Sequence, residues 1–588
     1  MPEPKDKLDT SVNGPADPDL GFDGAAWERV DWRACEERVR RLRRRIFKAV
    51  REGDLAEVRN LQKLMLRSWS NTLVSVRQVT QRNTGRKTAG VDGQVALTSQ
   101  ARAEMAVRVH ATRGSWTPSP VKRVYIPKAS DRNKKRPLGI PVITDRCHQA
   151  RVRNALEPEW EARFEPRSFG FRPGRGCHDA IESLFQTLCG KARRVWILDA
   201  DLAGAFDRIA HGALLETIGD FPARRMIAGW LKAGVVEVER GHSSTVEGTP
   251  QGGVISPLLL NIALHGLEEA AGVRYLTGRH AGSVTDGSPA LVRYADDLVV
   301  CCFSEQQAEQ VKARLEPRGL AFNEAKTRIV HLTKGFEFLG FHLRRYQNGK
   351  LLIKPSAAAI TRFRKRLAKE FRALRGSNVA AVLAKLVPIV RGWVAYYRTV
   401  VSSKVFNALT AYLWKLTYKW ACRSHQNKSS RWIVKRYYGK FNRFRNDHWV
   451  FGDRATGAYL PKPSWTEITR HTLVRSGASP DDPDLTEYWA RRRRKVTPPL
   501  DSYTVRLLTK QDGQCGLCGE NLLIPDHPPQ TPEGWEWWYL WTAKKAIEAD
   551  YLVHHDMPNA SRDRRTHLVH ATCKRMRKPA QLSGNTAR

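Results

Sequence analysis

The chain has 588 residues, 41% of them hydrophobic, and its 99 Lys+Arg against 59 Asp+Glu give a formal net charge of +40. That length leaves room for several cores, and a cationic excess far beyond what solubility needs points to a polyanionic partner. No apolar run reaches the ~18 residues of a membrane span, and ten thinly spread cysteines suit a reducing interior, so membrane proteins and disulfide scaffolds are excluded.

Residues 1 to 23 are polar and rich in Pro, Gly and Asp, without signal- or transit-peptide character, and read as a disordered lead. Val39, Leu42, Ile46 and Val50 follow at helical spacing. Gly53 ends that helix, and Asp54-Leu55-Ala56-Glu57 opens the next as a capping box. Gly90-Val91-Asp92-Gly93 is a tight turn. Residues 123 to 128 and 134 to 141 then predict two short strands around a basic turn that by itself is simply solvated.

Val195-Trp196-Ile197-Leu198 predicts a strand running into Asp199-Ala200-Asp201-Leu202-Ala203-Gly204-Ala205-Phe206-Asp207, a small-residue turn with three acids. Gly248-Thr249-Pro250-Gln251-Gly252-Gly253 precedes an apolar helix from 258 to 267. Its glycines permit close approach to a flat base pair, and Gln251 can hydrogen-bond without adding charge. Tyr294-Ala295-Asp296-Asp297, between Leu291-Val292 and Leu298-Val299-Val300, reads as a buried hairpin with two carboxylates at its tip. Alone, such a pair would more often be a solvated turn. Two strands that each deliver a carboxylate to one spot instead suit two divalent cations roughly 3.5–4 Å apart, as in-line phosphoryl transfer uses.

Residues 354 to 376 carry eight Lys/Arg against one acid, with Ile360, Phe363, Leu367, Phe371 and Leu374 in one stripe, and predict a basic amphipathic helix. Arg391-Gly392-Trp393-Val394-Ala395-Tyr396-Tyr397-Arg398 continues it. Trp414, Tyr418, Trp420, Trp432, Tyr437 and Tyr438 interleave with cations further on, mostly as core, with a few free to stack on bases. Pro480-Asp481-Asp482-Pro483 reads as a hinge into Arg491, Arg492, Arg493, Arg494 and Lys495, which bind phosphate without reading sequence. Cys515-Gly516-Leu517-Cys518 with His570 and Cys573 fits a tetrahedral structural zinc site.

Ordered blocks from about residue 27 to 580 resemble the group II intron-encoded reverse transcriptases, or maturases. The resemblance implies an α+β multidomain protein: a disordered lead (1–23), a helical extension of the fingers (24–115), fingers and palm with an antiparallel sheet (116–350), a helical thumb/maturase domain (351–470), a basic DNA-binding segment (471–505) and a zinc-containing HNH-like ββα-type module (506–588). By the same match Asp201, Asp296 and Asp297 would hold two Mg²⁺, with Asp199 and Asp207 as bystanders. Phe206 would exclude a ribose 2′-OH, Gln251 would support template and incoming nucleotide, and Lys128 and Arg136 would clamp the triphosphate. The turn from Ser130 to Asn133 is slightly longer than the family's. Ser168-Phe169-Gly170-Phe171-Arg172-Pro173-Gly174-Arg175 would face the template, and Lys326, beside the blocks at 319 to 320 and 336 to 341, would assist pyrophosphate departure or be merely solvated.

Arginine-bearing N-terminal helices would dock intron RNA, and Arg362, Arg364, Lys365, Arg391 and Arg398 would join the 491 to 495 run in binding nucleic acid. In the tail, His554 and His555 resemble the paired histidines of HNH nucleases around a catalytic divalent cation, with Asn559 as the available asparagine. Lys574 stands where that family completes its site with histidine, which leaves both an acting nuclease and a zinc-stabilised DNA-binding remnant open. The implied function is an intracellular, cytoplasmic ribonucleoprotein enzyme that binds its group II intron RNA, assists splicing and copies it from a target-DNA primer with dNTPs. A maturase without polymerase activity and a host-domesticated defence polymerase are the alternatives.

Overall fold

The computed structural model describes residues 21–127, 135–237, 241–278, 282–315, 322–442, 444–495, 500, 502–517, 522–523, 529–540, 547–551 and 566–576. It divides into one unit of residues 1–173, 198–329 and 475–486 and another of 174–197, 330–474 and 487–588.

In the first unit, α1 (Trp32–Glu52) buries Val39 and Ile46 and ends where Gly53 takes φ 77. Asp54 then accepts the Glu57 amide to start α2 (Leu55–Arg67), the forward half of the expected capping box, while the Asp54 amide bonds Ala49 O and the Glu57 carboxylate pairs with Arg45. β1 (Val121–Pro127) and β2 (Lys135–Ile140) pair antiparallel, Ile126 opposite Arg136; Lys128 and the turn from Ser130 to Asn133 lie outside the described residues. α3 (Ile143–Glu161) is buried along nearly its whole length, charged residues included. β3 (Trp196–Asp201) belongs to the palm sheet described below. β4 (Val235–Glu237) runs parallel to β1 and antiparallel to β5 (Gly241–Ser243), completing a sheet ordered β2-β1-β4-β5.

The helix expected over 258 to 267 is α4 (Ser256–Ala263), begun by Pro257 at its first turn. It stops before Gly266, whose φ of 87 starts a separate short turn of helix. β6 (Ala290–Tyr294) and β7 (Asp297–Cys302) form the expected hairpin, Tyr294 opposite Asp297. With β8 (Arg328–His331) they make a sheet ordered β6-β7-β3-β8, which sets β7 and β3, the two carboxylate-bearing strands, side by side.

In the second unit, β9 (Phe336–Phe338), β10 (Phe341–Arg345) and β11 (Leu351–Pro355) form a three-stranded meander. Lys354 and Pro355 are therefore strand, and the amphipathic helix starts later, at α5 (Ala357–Ala373), because Ser356 caps it. Phe363, Leu367 and Phe371 are its buried stripe. The Arg391-to-Arg398 segment does not continue that helix: it closes a separate one, α6 (Val379–Tyr397), capped by Asn378. Interrupted by Lys385 and Arg391, α6 is not an unbroken apolar run, though it is long and apolar enough by composition to cross a membrane; 67% of its apolar window is buried inside the protein. α7 (Ser403–Ser424) follows, then α8 (Thr486–Lys495), α9 (Pro532–Trp538), β12 (Ile547–Tyr551), β13 (Thr566–His570) and α10 (Ala571–Met576).

The expected hinge at 480 to 483 is a docked strap. Asp481 and Asp482 are buried; Arg43 of α1 donates two hydrogen bonds to Asp481 at 2.8 and 2.7 Å and one to Glu157 at 2.8 Å, and Arg51 reaches Asp482 at 2.9 Å. Buried carboxylates require such partners.

Candidate active site

The palm site forms where β3 and the β6–β7 hairpin end together. Leu202 N donates to Asp296 O at 3.4 Å, which ties the Asp201 strand end to the hairpin tip. Ala295, the first residue of the two-residue turn, takes φ 58, a left-handed conformation uncommon outside glycine. Burial, then Asp296 and Asp201, push the Asp297 carboxyl up to about 7. Burial and Asp201 raise Asp296, opposed by Arg136 and Lys326. Lys326 Nζ donates to Asp201 Oδ2 at 2.6 Å, and Asn323 Nδ2 donates to the same oxygen at 3.2 Å. The lysine is thus seated at the acidic cluster. Asp199 instead pairs with Arg328 at 3.5 Å.

Oxygen-only donors from three carboxylates fit a hard divalent cation, and such an ion would relieve both the burial of Asp296 and Asp297 and the repulsion that Asp201 exerts on each. Among the described residues, the one set of three or more candidate ligands whose donor atoms all lie within 4.8 Å is elsewhere, at Cys515, His570 and Cys573. The palm carboxylates stand more openly, consistent with their repulsion.

Of the expected nucleotide-binding residues, Arg136 and Lys326 act on this acidic cluster. Arg136 lies on the exposed end of β2 and acts electrostatically on Asp296. Phe206 is half-buried and meets Phe171 edge-on, centroids 6.2 Å apart. Gln251 O accepts the Gly139 amide at 2.8 Å, and Thr249 N donates to Phe206 O at 2.7 Å, so the glycine loop joins β2 to the turn after β3. A Cβ on Gly248 (φ 85) would come within 2.7 Å of Asp207 O, and one on Gly252 within 2.7 Å of Gly139 O. Those glycines serve close approach between protein segments.

The loop from Ser168 departs from expectation. Arg172 is 1% exposed, donates to both oxygens of Glu161 at 3.0 Å and to the Glu165 and Ser168 carbonyls, and so cannot also reach a template. Arg175 is likewise buried. Phe171 alone of this group is prominently exposed. The loop supports the hairpin: Phe169 N donates to Arg293 O at 2.9 Å, and Arg293 N to Arg167 O at 3.0 Å.

In the tail, His570 N donates to Cys515 Sγ at 3.4 Å, and Cys573 Sγ lies 3.8 Å from His570 Nδ1. β13 ends at His570 and α10 presents Cys573 one turn later, over a core of Leu507, Leu508, Leu522, Leu568 and Val569. This N/S donor set fits zinc chemically. Cys518, His554, His555 and Asn559 lie outside the described residues. Of the expected nucleic-acid cations, Arg362, Lys365, Arg491 and Arg493 are exposed, and Arg494 and Lys495 have no described side chains. Others serve packing: Arg364 lies over Tyr412 (5.4 Å), Arg391 over Tyr539 (4.7 Å), and burial depresses Arg398. Arg492, expected to face phosphate, instead donates to the buried Asp179 at 2.9 Å and to Thr472 O at 2.7 Å.

Residues 27–109 match the N-terminal domain of reverse transcriptase, 126–343 the reverse transcriptase (RNA-dependent DNA polymerase) family, and 360–438 the group II intron maturase-specific domain. Protein YkfC of Escherichia coli (strain K12) is 37% identical over 311 residues, covering 46% of this chain and 80% of that one. The chain belongs to the group II intron reverse transcriptase/maturase family. This maturase is also 31% identical over 298 residues to the group II intron-encoded protein LtrA of Lactococcus lactis subsp. cremoris, covering 40% of this chain but only 49% of LtrA. Maturase-like protein 1 of Euglena gracilis is 28% identical over 393 residues, covering 64% of this chain and 78% of that one. Sequence reasoning missed Asn323, Asn261 and Arg293. The last had a signal: a lone cation inside the apolar strand Ala290 to Tyr294.

Proposed function

We propose that this maturase is an RNA-directed DNA polymerase of a mobile group II intron, which binds its intron RNA, assists its splicing and extends a primer at a DNA target along that RNA with dNTPs. The observation that carries the reading is the convergence of Asp201, Asp296 and Asp297 at the joined ends of β3 and the hairpin, with Lys326 on Asp201 at 2.6 Å. Asp201, Asp296 and Asp297 are the residues that would hold magnesium. Bound there, two such ions stabilise the attacking and leaving oxygens of an in-line displacement. Arg136 holds the triphosphate as a fixed cation, Phe206 with Phe171 borders the sugar, and the glycine loop carrying Gln251 borders the base pair. Lys326 is placed to neutralise or protonate the departing pyrophosphate.

In the tail, Cys515, His570 and Cys573, with Cys518, make a structural zinc site, and α8 brings its exposed arginines to duplex DNA. Nicking of a target duplex by the Lys574→His variant but not by the natural protein would assign the tail a lost nuclease site. Ten cysteines thinly spread over the chain suit a reducing intracellular setting. The deciding experiment is primer extension on an RNA template. Asp296→Asn should abolish magnesium-dependent DNA synthesis with RNA affinity nearly unchanged; loss of both would make the residue structural, and extension at the natural rate would overturn the reading.

A further inference from the structure

Beneath the hairpin tip lies a buried polar assembly that none of the expected roles uses. Arg293, on β6 two residues before Ala295, is 1% exposed. Its Nη1 donates to Asn261 Oδ1 of α4 at 2.9 Å and to Ala295 O, inside the turn, at 3.3 Å. Asn261 is equally buried and donates from Nδ2 to Gly170 O at 2.9 Å. Gly170 in turn lies flat against the turn: a Cβ there would stand 2.2 Å from Ala295 N and 2.9 Å from its Cα. The guanidinium is held among Glu165, Glu268 and Arg172, and Arg293 Nη2 has no hydrogen-bond partner among the described residues.

An arginine fully desolvated under a turn is costly unless it is hydrogen-bonded. One of the bonds it makes here is to the carbonyl of Ala295, whose φ of 58 is left-handed. We infer that Arg293, Asn261 and Gly170 form a clamp that sets where the turn presents Asp296 and Asp297, making them positioning residues for the polymerase site. Three elements distant in the chain, α4, the loop after α3 and the hairpin, meet at this turn. One terminal nitrogen of the planar guanidinium, Nη1, serves Asn261 and Ala295 together; a lysine keeps the charge beside Glu165 but carries its ammonium on a flexible stem. Misplacement of a reacting constellation by about 1 Å costs on the order of 10²-fold in rate, so a small shift of the tip is enough to matter.

The inference rests on the assignment of Asp296 and Asp297 as the cation-holding acids, and the test separates the two. Arg293→Lys and Gly170→Ala disturb the turn from opposite sides, one by loosening the Ala295 carbonyl and the other by a methyl group against its amide. In the full-length protein, Mn²⁺ binding followed by electron paramagnetic resonance should weaken about tenfold in both. The Mg²⁺ midpoint of primer extension should rise by a similar factor, with recovery at high Mg²⁺. RNA affinity of the folded protein should stay at its natural value, although the methyl group at Gly170 lowers the melting midpoint by overpacking. A purely structural role would instead lower RNA affinity and leave Mn²⁺ binding in the folded fraction unmoved. Should Arg293→Lys not fold, Gly170→Ala and Asn261→Ala carry the same readouts. Natural Mn²⁺ affinity and Mg²⁺ midpoint in the folded variants, alongside an inactive Asp296→Asn, would overturn the clamp alone; an active Asp296→Asn would overturn the polymerase assignment beneath it.

Discussion

Gly392 offers the sharpest perturbation of the second unit. It lies on α6 directly beneath α9, where a Cβ would stand 2.6 Å from Glu536 N, 2.7 Å from Pro532 O and 2.9 Å from Glu536 Cα. These are backbone atoms that no rotamer change can move. Restoring an ordinary 3.4 Å separation means displacing α9 by about 0.8 Å, a shift that also strains the bond from Arg366 Nη2 to Glu536 Oε2, now 2.6 Å, and the seat of Tyr539 on Arg391. Overpacking of this kind costs about 1–3 kcal/mol, which at 1.36 kcal/mol per tenfold amounts to roughly a 5- to 160-fold rise in local opening. Gly392→Ala should therefore accelerate amide hydrogen exchange across Pro532–Trp538 by that factor, while exchange in the palm strands is unchanged. Natural protection over α9 in a folded Gly392→Ala protein would show that the close approach is not what holds this helix.

Other outcomes are equally specific. Lys326→Met should slow single-turnover extension about 10²-fold without altering RNA affinity, and Lys326→Arg should restore part of the rate; equal rates for all three would make the lysine a bystander. Cys515→Ser, or chelation, should release protection of β13 and α10 while extension persists, because metal binding and folding are coupled in such small modules; protection that survives chelation would refute a metal role. His148 is buried between Thr112 and Arg151, and burial, then Arg151, lower it from 6.5 to about 3. The folded state thus refuses a proton that the unfolded chain accepts below pH 6.5. Its stabilising contribution is complete above pH 6.5 and declines as pH falls towards 3, by up to about 1.4 kcal/mol per unit. Urea midpoints at pH 7.5 and 5.5 should differ less in His148→Gln than in the natural protein.

What the sequence made legible was whatever depends on neighbours in the chain. The hairpin at Tyr294 to Asp297 and the junction at Gly53 and Asp54 follow from local alternation and capping, and both form as expected. Misreadings came from residues whose partners are remote. Pro480 to Pro483 has hinge composition, but its acids answer arginines 438 and 431 positions away. Arg172 looks like a template contact until Glu161 and the carbonyls around it are seen to use its donors. Lys354 shares the charge pattern of the helix that follows, yet pairs in a strand opposite His342. Hydropathy cannot show these differences, since an arginine bound to a carboxylate and one awaiting a phosphate are written with the same letter.

The strap at Asp481 and Asp482 bears on how the polymerase portion can be dissected. A shortened protein ending before residue 475 would keep every palm and finger residue, yet it would leave Arg51 without Asp482 and Arg43 with Glu157 alone. The smallest autonomous copying fragment is therefore not contiguous: it needs a dozen residues encoded far downstream, and supplying them as a separate peptide should rescue what the cut removes.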